Sequence, residues 1–357
     1  MAEILIEKYN FSTEIETPLE WRDVREKPFD LYGLYNPLTE NIFRRVPEDV
    51  AQATSAGVAG LARNTAGGRV RFSTNSKNVA IHAVMPSIGR MDHFAFTGSG
   101  AFDLYVKVGT RYRFYRSFRP NYKSYGYETT VSFETAEWRQ LMIHFPLYSS
   151  VTSLYIGLDP AAVLDHGEKY AIEKPVVYYG SSITQGGCAS RPGNSYQALI
   201  SMDTDADFIN LGFSGSAKGE PAIREYMANL DMSCFVLDYD HNAPNADHLA
   251  ATHEPLFKAI REKHPTLPVI FVTKPDTNSI FFGMGAKNDM SKRRDIVHTT
   301  YMNAMKAGDK NVYFVDGDSL FNGYHWDCCT VDGCHPNDAG FFRMAERIGD
   351  VVGAVLR

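Results

Sequence analysis

Near residue 160 the spacing of apolar residues changes from every second position to every third and fourth, and this switch constrains the fold more than any other feature of the chain. From there on, short and nearly continuous apolar runs at 176–179, 208–211, 234–239, 269–273 and 312–315 alternate with helix-period segments at 194–203, 219–230, 247–263 and 290–307. Runs of that kind suit strands covered on both faces. Strict alternation implies right-handed crossovers and an α/β fold, a parallel sheet of about five strands with helices on both faces. A last helix is expected over 337–355, where Phe341, Met344, Ala345, Ile348, Val351, Val352 and Val355 recur at steps of three and four. In such a sheet, reactive groups collect at the carboxyl ends of the strands.

Upstream of the switch the text is strand-like. Val79, Ile81, Ala83 and Met85 alternate with more variable neighbours, as do Leu141, Ile143 and Phe145, and 153–158 is another short apolar run. Runs at 102–108 and 112–118 flank Gly109-Thr110, which predicts a hairpin. Many short strands without a long helical pattern indicate a β-sandwich. The expected organisation is an N-terminal β-sandwich over 1–165 and an α/β domain over 166–357. At about 150 residues per domain, 357 residues also suggest two domains.

Composition excludes several classes of function. Lys plus Arg total 36 against 42 for Asp plus Glu, a formal charge of -6, the wrong sign for a phosphate-tracking protein, so no nucleic acid partner is expected. Membrane association is not expected either, because nowhere does the chain reach the run of about 18 apolar residues that spans a bilayer. The N-terminal stretch Met1-Ala2-Glu3-Ile4-Leu5-Ile6-Glu7-Lys8 places acids inside its only short apolar run and does not read as a secretion signal. The cysteines, 188, 234, 328, 329 and 334, are odd in number, and no disulfide framework is indicated. A cytoplasmic location is the expectation.

Chemistry is expected first at the end of the first α/β strand, Tyr179-Gly180-Ser181-Ser182-Ile183-Thr184-Gln185-Gly186, where a hydroxyl follows a glycine and a buried run. By itself this reads equally as a polar turn. A phosphate loop is disfavoured, since neither G-x-x-x-x-G-K-[ST] nor G-x-G-x-x-G is present. A serine needs a base within hydrogen-bond reach, and the base needs an orienting group. Asp332-Gly333-Cys334-His335-Pro336, just ahead of the last helix, offers both. Donors for a tetrahedral oxyanion, each worth on the order of 3 kcal/mol, can come from two loops after later strands. One is Asn210-Leu211-Gly212-Phe213-Ser214-Gly215 and the other Asp238-Tyr239-Asp240-His241-Asn242-Ala243. Taken singly, each of these segments is an ordinary turn.

Taken in order, Ser182, Gly215, Asn242 and His335 resemble the four signature blocks of the SGNH, or GDSL-type, esterase and lipase superfamily. Two blocks depart from the family pattern. The first block there reads Gly-Asp-Ser, and this chain has Ser181 in the Asp position; the third reads Gly-x-Asn-Asp, and only Asn242 survives. Gly100-Ala101-Phe102-Asp103-Leu104-Tyr105 is a near match, with one extra residue, to the Gly-x-Asp-Leu-Tyr motif of a branch with an N-terminal β-domain. The resemblance implies a flavodoxin-like α/β domain behind a jelly-roll-like sandwich. It also implies a serine esterase acting on small acyl esters, in many relatives O-acetyl groups on carbohydrates. Carried over, Ser182 is the nucleophile, His335 the base and Asp332 its orienting group, with Ser182, Gly215 and Asn242 forming the oxyanion hole. No metal or cofactor is implied. Alternatives are acyl transfer by the same residues, or a carbohydrate-binding protein that has lost catalysis.

The remaining features are less specific. A zinc site from Cys328, Cys329, Cys334 and His335 is disfavoured because adjacent cysteines rarely both point at one ion, and Cys188 reads best as a small buried hydrophobe. Arg191, Asp240, His241, Tyr324 and Trp326 fall near strand ends and are candidates to contact a sugar. The insertion 275–288 is long for a connection and reads as a lid or a subunit contact, which leaves homo-oligomerisation open.

Overall fold

In the computed structural model the described residues are 15, 17–120, 126–275 and 290–357. The insertion read as a lid therefore lies, except for Pro275, outside them. The chain forms two compact units: residues up to Arg45 with 63–171 and 190–193, and residues 46–62 with 172–189 and 194–357.

The first unit is built of antiparallel strands: β1 (Glu20–Asp23), β2 (Asp30–Tyr32), β3 (Arg69–Thr74), β4 (Asn78–Val84), β5 (Phe102–Val108), β6 (Arg111–Phe118), β7 (Gly126–Ser132), β8 (Arg139–His144), β9 (Ser153–Leu158) and β10 (Leu164–His166). They form one sheet in the order β1-β9-β4-β7 and a second in the order β10-β3-β8-β5-β6, with β2 added on β3. Alternate side chains of both sheets, among them Val79, Ile81, Ala83, Leu154 and Ile156 from the first and Val70, Phe72, Phe102, Leu104 and Ile143 from the second, meet in one core. This is the expected sandwich, and β5 and β6 pair as the expected hairpin around Gly109.

Because side chains alternate along β5, Asp103 and Tyr105 face away from Phe102 and Leu104. Asp103 is fully buried and accepts hydrogen bonds from Ser117 Oγ at 2.7 Å, the Gly193 backbone N–H at 3.0 Å and Arg191 Nη1 at 3.3 Å. Tyr105 accepts from Arg191, whose guanidinium also lies 3.9 Å from the Phe114 ring centroid. The Gly-x-Asp-Leu-Tyr resemblance thus has a structural content: its acid and its tyrosine grip the 190–193 segment.

The second unit carries five parallel strands: β11 (Ile172–Gly180), β12 (Ala206–Gly212), β13 (Cys234–Asp238), β14 (Val269–Val272) and β15 (Val312–Val315). Their order is β12-β11-β13-β14-β15, which numbered within the sheet is the flavodoxin-like 2-1-3-4-5. One set of alternate residues, Val177, Tyr179, Phe235, Leu237, Val269 and Phe271, shares a core with Ile223, Leu249, Leu256, Ile260 and Val297 of three helices, Pro221–Ala228, Ala246–Lys263 and Met290–Lys306. The other set points the opposite way: the Tyr178 ring lies 5.6 Å from Tyr196 of helix Tyr196–Thr204, which stacks 6.5 Å from Phe341 of helix Asp338–Val355. Both faces are therefore dry, which explains why the strands read as unbroken apolar runs.

Two helices, Glu48–Thr54 and Ala56–Leu61, were not expected from the strand-like text of the N-terminal half. Each has fewer than two turns, too short for a 3.6 period to register. The second is capped locally, Ser55 Oγ accepting from Val58 N–H at 3.2 Å.

Candidate active site

The turn that carries Ser182 follows directly from β11. Ser182–Gln185 forms a single helical turn; Ser181 is its N-cap, its Oγ accepting from the Ile183 N–H at 3.1 Å, and Gly186 ends it in the left-handed region at φ 102°. Serine at position 181 thus performs the capping that an aspartate can perform there. Close approach dictates the flanking glycines. A Cβ on Gly180 would sit 2.0 Å from Thr184 Oγ1 and 2.1 Å from the Asp238 carbonyl oxygen, and one on Gly212 would sit 2.1 Å from the Gln185 nitrogen.

Ser182 Oγ lies 2.9 Å from His335 Nε2, and His335 Nδ1 lies 2.7 Å from Asp332 Oδ2. The three residues expected to act together are therefore linked in series, although 153 positions separate the serine from the histidine. The turn that carries Asp332 and His335 is tightly closed. Val331 N–H donates to the His335 carbonyl at 3.0 Å, and Asn337, the N-cap of the last helix, donates its backbone N–H to the Cys329 carbonyl at 3.0 Å. Asp332 Oδ1 accepts the backbone N–H groups of Cys334 at 2.9 Å and His335 at 2.7 Å. Burial alone would raise the Asp332 carboxyl, but the His335 ring and these two N–H groups outweigh it and hold the pKa at about 2. The residue beside the imidazole is thus an anion throughout the neutral range, able to stabilise an imidazolium.

The segments that carry the candidate donors are hydrogen-bonded to the Ser182 turn or to each other. Gly215 adopts φ 65°, and the loop before it is tied to the Ser182 turn by the Ser214 N–H donating to Gln185 Oε1 at 3.1 Å and the Phe213 N–H donating to the Gly180 carbonyl at 2.8 Å. Asn242 Nδ2 donates to the Phe213 carbonyl at 2.8 Å. A primary amide has two N–H donors, so this bond orients the group and leaves a second one.

The residues considered for sugar contact fall in different places. His241 Nε2 lies 3.2 Å from Cys334 Sγ, next to His335, and burial, then the nearby Lys274, push its pKa down to about 3, so its ring is neutral. Asp240 is buried, accepting the Lys274 N–H at 3.1 Å, while Arg293 donates to its backbone carbonyl at 2.6 Å. Arg191 belongs to the first unit, where Asp103 and Tyr105 engage it. Trp326 sits half-buried on the short turn Trp326–Cys328, and Tyr324 is exposed nearby. A groove of about 770 Å³ between helices Ala246–Lys263 and Met290–Lys306 contains none of the Ser182, His335 and Asp332 set; it is lined by Phe257, Arg261, Ala304 and Asp309.

A 2-1-3-4-5 parallel sheet with serine, histidine and aspartate joined at its carboxyl edge defines an α/β hydrolase of the SGNH type. Residues 173–353 match the GDSL-like lipase/acylhydrolase family, and the chain belongs to that family. Residues 19–164 match the N-terminus of SGNH-hydrolase-type esterases. Among solved structures, it is similar to a protein from Bacteroides ovatus ATCC 8483 assigned as a GDSL-like lipase, at 28% identity and TM-score 0.86, covering 95% of this chain and 98% of that one. The salicylyl-acyltransferase SsfX3 from a tetracycline biosynthetic pathway is similar at 18% identity and TM-score 0.76, covering 95% and 99%. A family two carbohydrate esterase from Clostridium thermocellum, solved with cellohexaose, is similar at 15% identity and TM-score 0.59, covering 82% and 94%. The last two likenesses concern the fold alone. Among curated proteins no relative matches the chain. Among the described residues no helix is long and apolar enough to cross a membrane.

Proposed function

We propose that the protein is a serine esterase that hydrolyses short-chain acyl esters, with O-acetyl groups on carbohydrates as its substrate class. The observation that carries this reading is the 2.9 Å approach of Ser182 Oγ to His335 Nε2, with Asp332 behind the ring. Ser182 attacks the ester carbonyl while His335 Nε2 takes its proton, and Asp332 stabilises the imidazolium that forms. The Ser182 and Gly215 backbone N–H groups and the second N–H of the Asn242 amide hold the oxyanion. The imidazolium then protonates the leaving alkoxide, and water hydrolyses the acyl-enzyme with His335 again as base.

Two observations support small acylated carbohydrates. Ser182 is only 7% exposed, which favours a compact acyl group. Carbohydrate esterases recur among the similar folds, including an acetyl xylan esterase from Butyrivibrio proteoclasticus. The test is a panel of p-nitrophenyl esters of increasing chain length together with acetylated xylo-oligosaccharides, assayed on wild type and Ser182→Ala. Acetate is expected to turn over faster than long acyl chains, and acetate release from the oligosaccharides is expected to be lost in the variant. Full activity in Ser182→Ala overturns the nucleophile assignment, and absence of deacetylation by an enzyme that cleaves p-nitrophenyl acetate overturns the carbohydrate assignment.

A further inference from the structure

The single turn that presents Ser182 is held from beneath by a buried polar network that the reaction does not itself use. Thr184, two residues after the serine, is fully buried, and its Oγ1 donates to Asp238 Oδ2 at 3.0 Å. The Tyr196 hydroxyl donates to the same oxygen, also at 3.0 Å. The Thr184 carbonyl accepts from Gln197 Nε2 at 2.6 Å and Asn210 Nδ2 at 2.9 Å, and Asn210 Oδ1 accepts the Gly212 N–H at 2.9 Å. Asp238 is the last residue of β13 and is itself 5% exposed. We propose that Asp238 is a positioning residue for the nucleophile: bonded to Thr184, its carboxyl group fixes the turn that aims Ser182 Oγ at His335. This inference rests on the esterase reading above.

Ser182–Gln185 is only four residues long, so a shift of Thr184 is transmitted to Ser182 with little to absorb it. A misplacement of about 1 Å at a reacting atom can cost on the order of 100-fold in rate. Without the Asp238 carboxyl group, the buried hydroxyls of Thr184 and Tyr196 lose their shared acceptor at 3.0 Å, and Thr184 keeps only its longer 3.4 Å contact with the Asp238 backbone carbonyl, so the turn would move to satisfy them. Burial, then the neighbouring Asp240, pushes the Asp238 carboxyl up to about 8 against the hydrogen bonds from Thr184 and Tyr196. At neutral pH it is therefore a carboxylic acid, whose closest isostere is asparagine, with the same carbonyl oxygen and no charge.

The experiment compares wild type, Asp238→Asn, Asp238→Leu, Thr184→Val and the Asp238→Leu/Thr184→Val double variant. It measures p-nitrophenyl acetate kinetics, the rate of phosphonylation by diisopropyl fluorophosphate, and the thermal unfolding of each protein. Asp238→Leu is expected to lose kcat about 100-fold with KM nearly unchanged, and Thr184→Val, nearly isosteric, to lose kcat in the same sense while folding normally. Asp238→Asn is expected to recover most of the loss, and the double variant to be no worse than Asp238→Leu alone. Wild-type kcat in folded Thr184→Val or Asp238→Leu, an Asn variant as poor as the Leu variant, or additive losses overturns the inference while leaving the esterase reading intact. A wild type that neither turns over the ester nor is phosphonylated overturns both.

Discussion

Ser181 Oγ accepts the backbone N–H of Ile183 at 3.1 Å and thereby caps the turn on which Ser182 stands. The bond explains how the chain departs from the Gly-Asp-Ser pattern without losing the local structure, since serine and aspartate are both strong N-caps. Ser181→Ala is expected to destabilise the protein by about 1 kcal/mol and to lower kcat, because the freed Ile183 N–H is buried behind the nucleophile. Ser181→Asp is expected to preserve the cap and fold normally. Thermal denaturation with steady-state kinetics checks both; an alanine variant with wild-type stability and rate contradicts the capping role.

The series Ser182, His335 and Asp332 predicts an order of effects. Ser182→Ala and His335→Ala are each expected to lower kcat by at least about a thousandfold, and combining them is expected to cost little more, because the residues act as a unit. Asp332→Asn is expected to cost less than either. Asp332 does more than face the ring, however: Oδ1 also holds the backbone N–H groups of Cys334 and His335. Asp332→Ala should therefore be worse than Asp332→Asn in both rate and stability. Equal kinetics for the two aspartate variants would mean that the backbone bonds do not position His335.

How much of this was legible in the sequence depended on how local the cause is. The five parallel strands announced themselves because helices cover both faces of their sheet, and helix 338–355 because its apolar stripe runs through five turns. Ser182 and His335 were legible as words in a known order, though nothing local says that they meet. The grip of Asp103 on Arg191 was not legible, since 88 positions separate them, and it gives Arg191, a candidate for sugar contact by sequence, a partner within the protein. The part played by Asp238 is not legible locally, because it reads as the polar end of an apolar strand. An acid closing the run Cys234–Asp238 was the only signal available, and its meaning depends on Thr184 and Tyr196 arriving from other elements.

His253 makes the fold acid-sensitive. It is 1% exposed, lies 2.9 Å from Thr300 Oγ1 through Nδ1 and stacks on Tyr239, and burial pushes its pKa down to about 3. An unfolded histidine titrates near 6.5. Above that value neither state binds the proton and stability is unaffected; as pH falls toward 3 the unfolded state takes up a proton that the folded state refuses, and stability is lost. At pH 5 this amounts to roughly 2 kcal/mol. Chemical denaturation at pH 8 and pH 5 should show the drop, and His253→Asn should shrink it by about that amount, whatever the variant does to stability at pH 8. An unchanged drop would show that other groups govern the acid limb.

Asp238 has the opposite sign. Its folded pKa of about 8 lies above the roughly 3.9 of an unfolded aspartate. Below the lower value both states hold the proton and the stability associated with this group is fully present. As pH rises toward 8 the unfolded chain ionises while the folded one does not, and stability is lost. Between pH 5 and 7 the loss approaches about 3 kcal/mol at most. Asp238→Asn has no proton to lose and keeps a carbonyl oxygen for Thr184 and Tyr196, so its stability relative to wild type should climb with pH up to about 8 and level off above it. Denaturation midpoints of the two proteins at pH 5, 6, 7 and 9 provide the measurement. A constant difference would mean that Asp238 is ionised in the folded state, and the interpretation of asparagine as its isostere would fail with it.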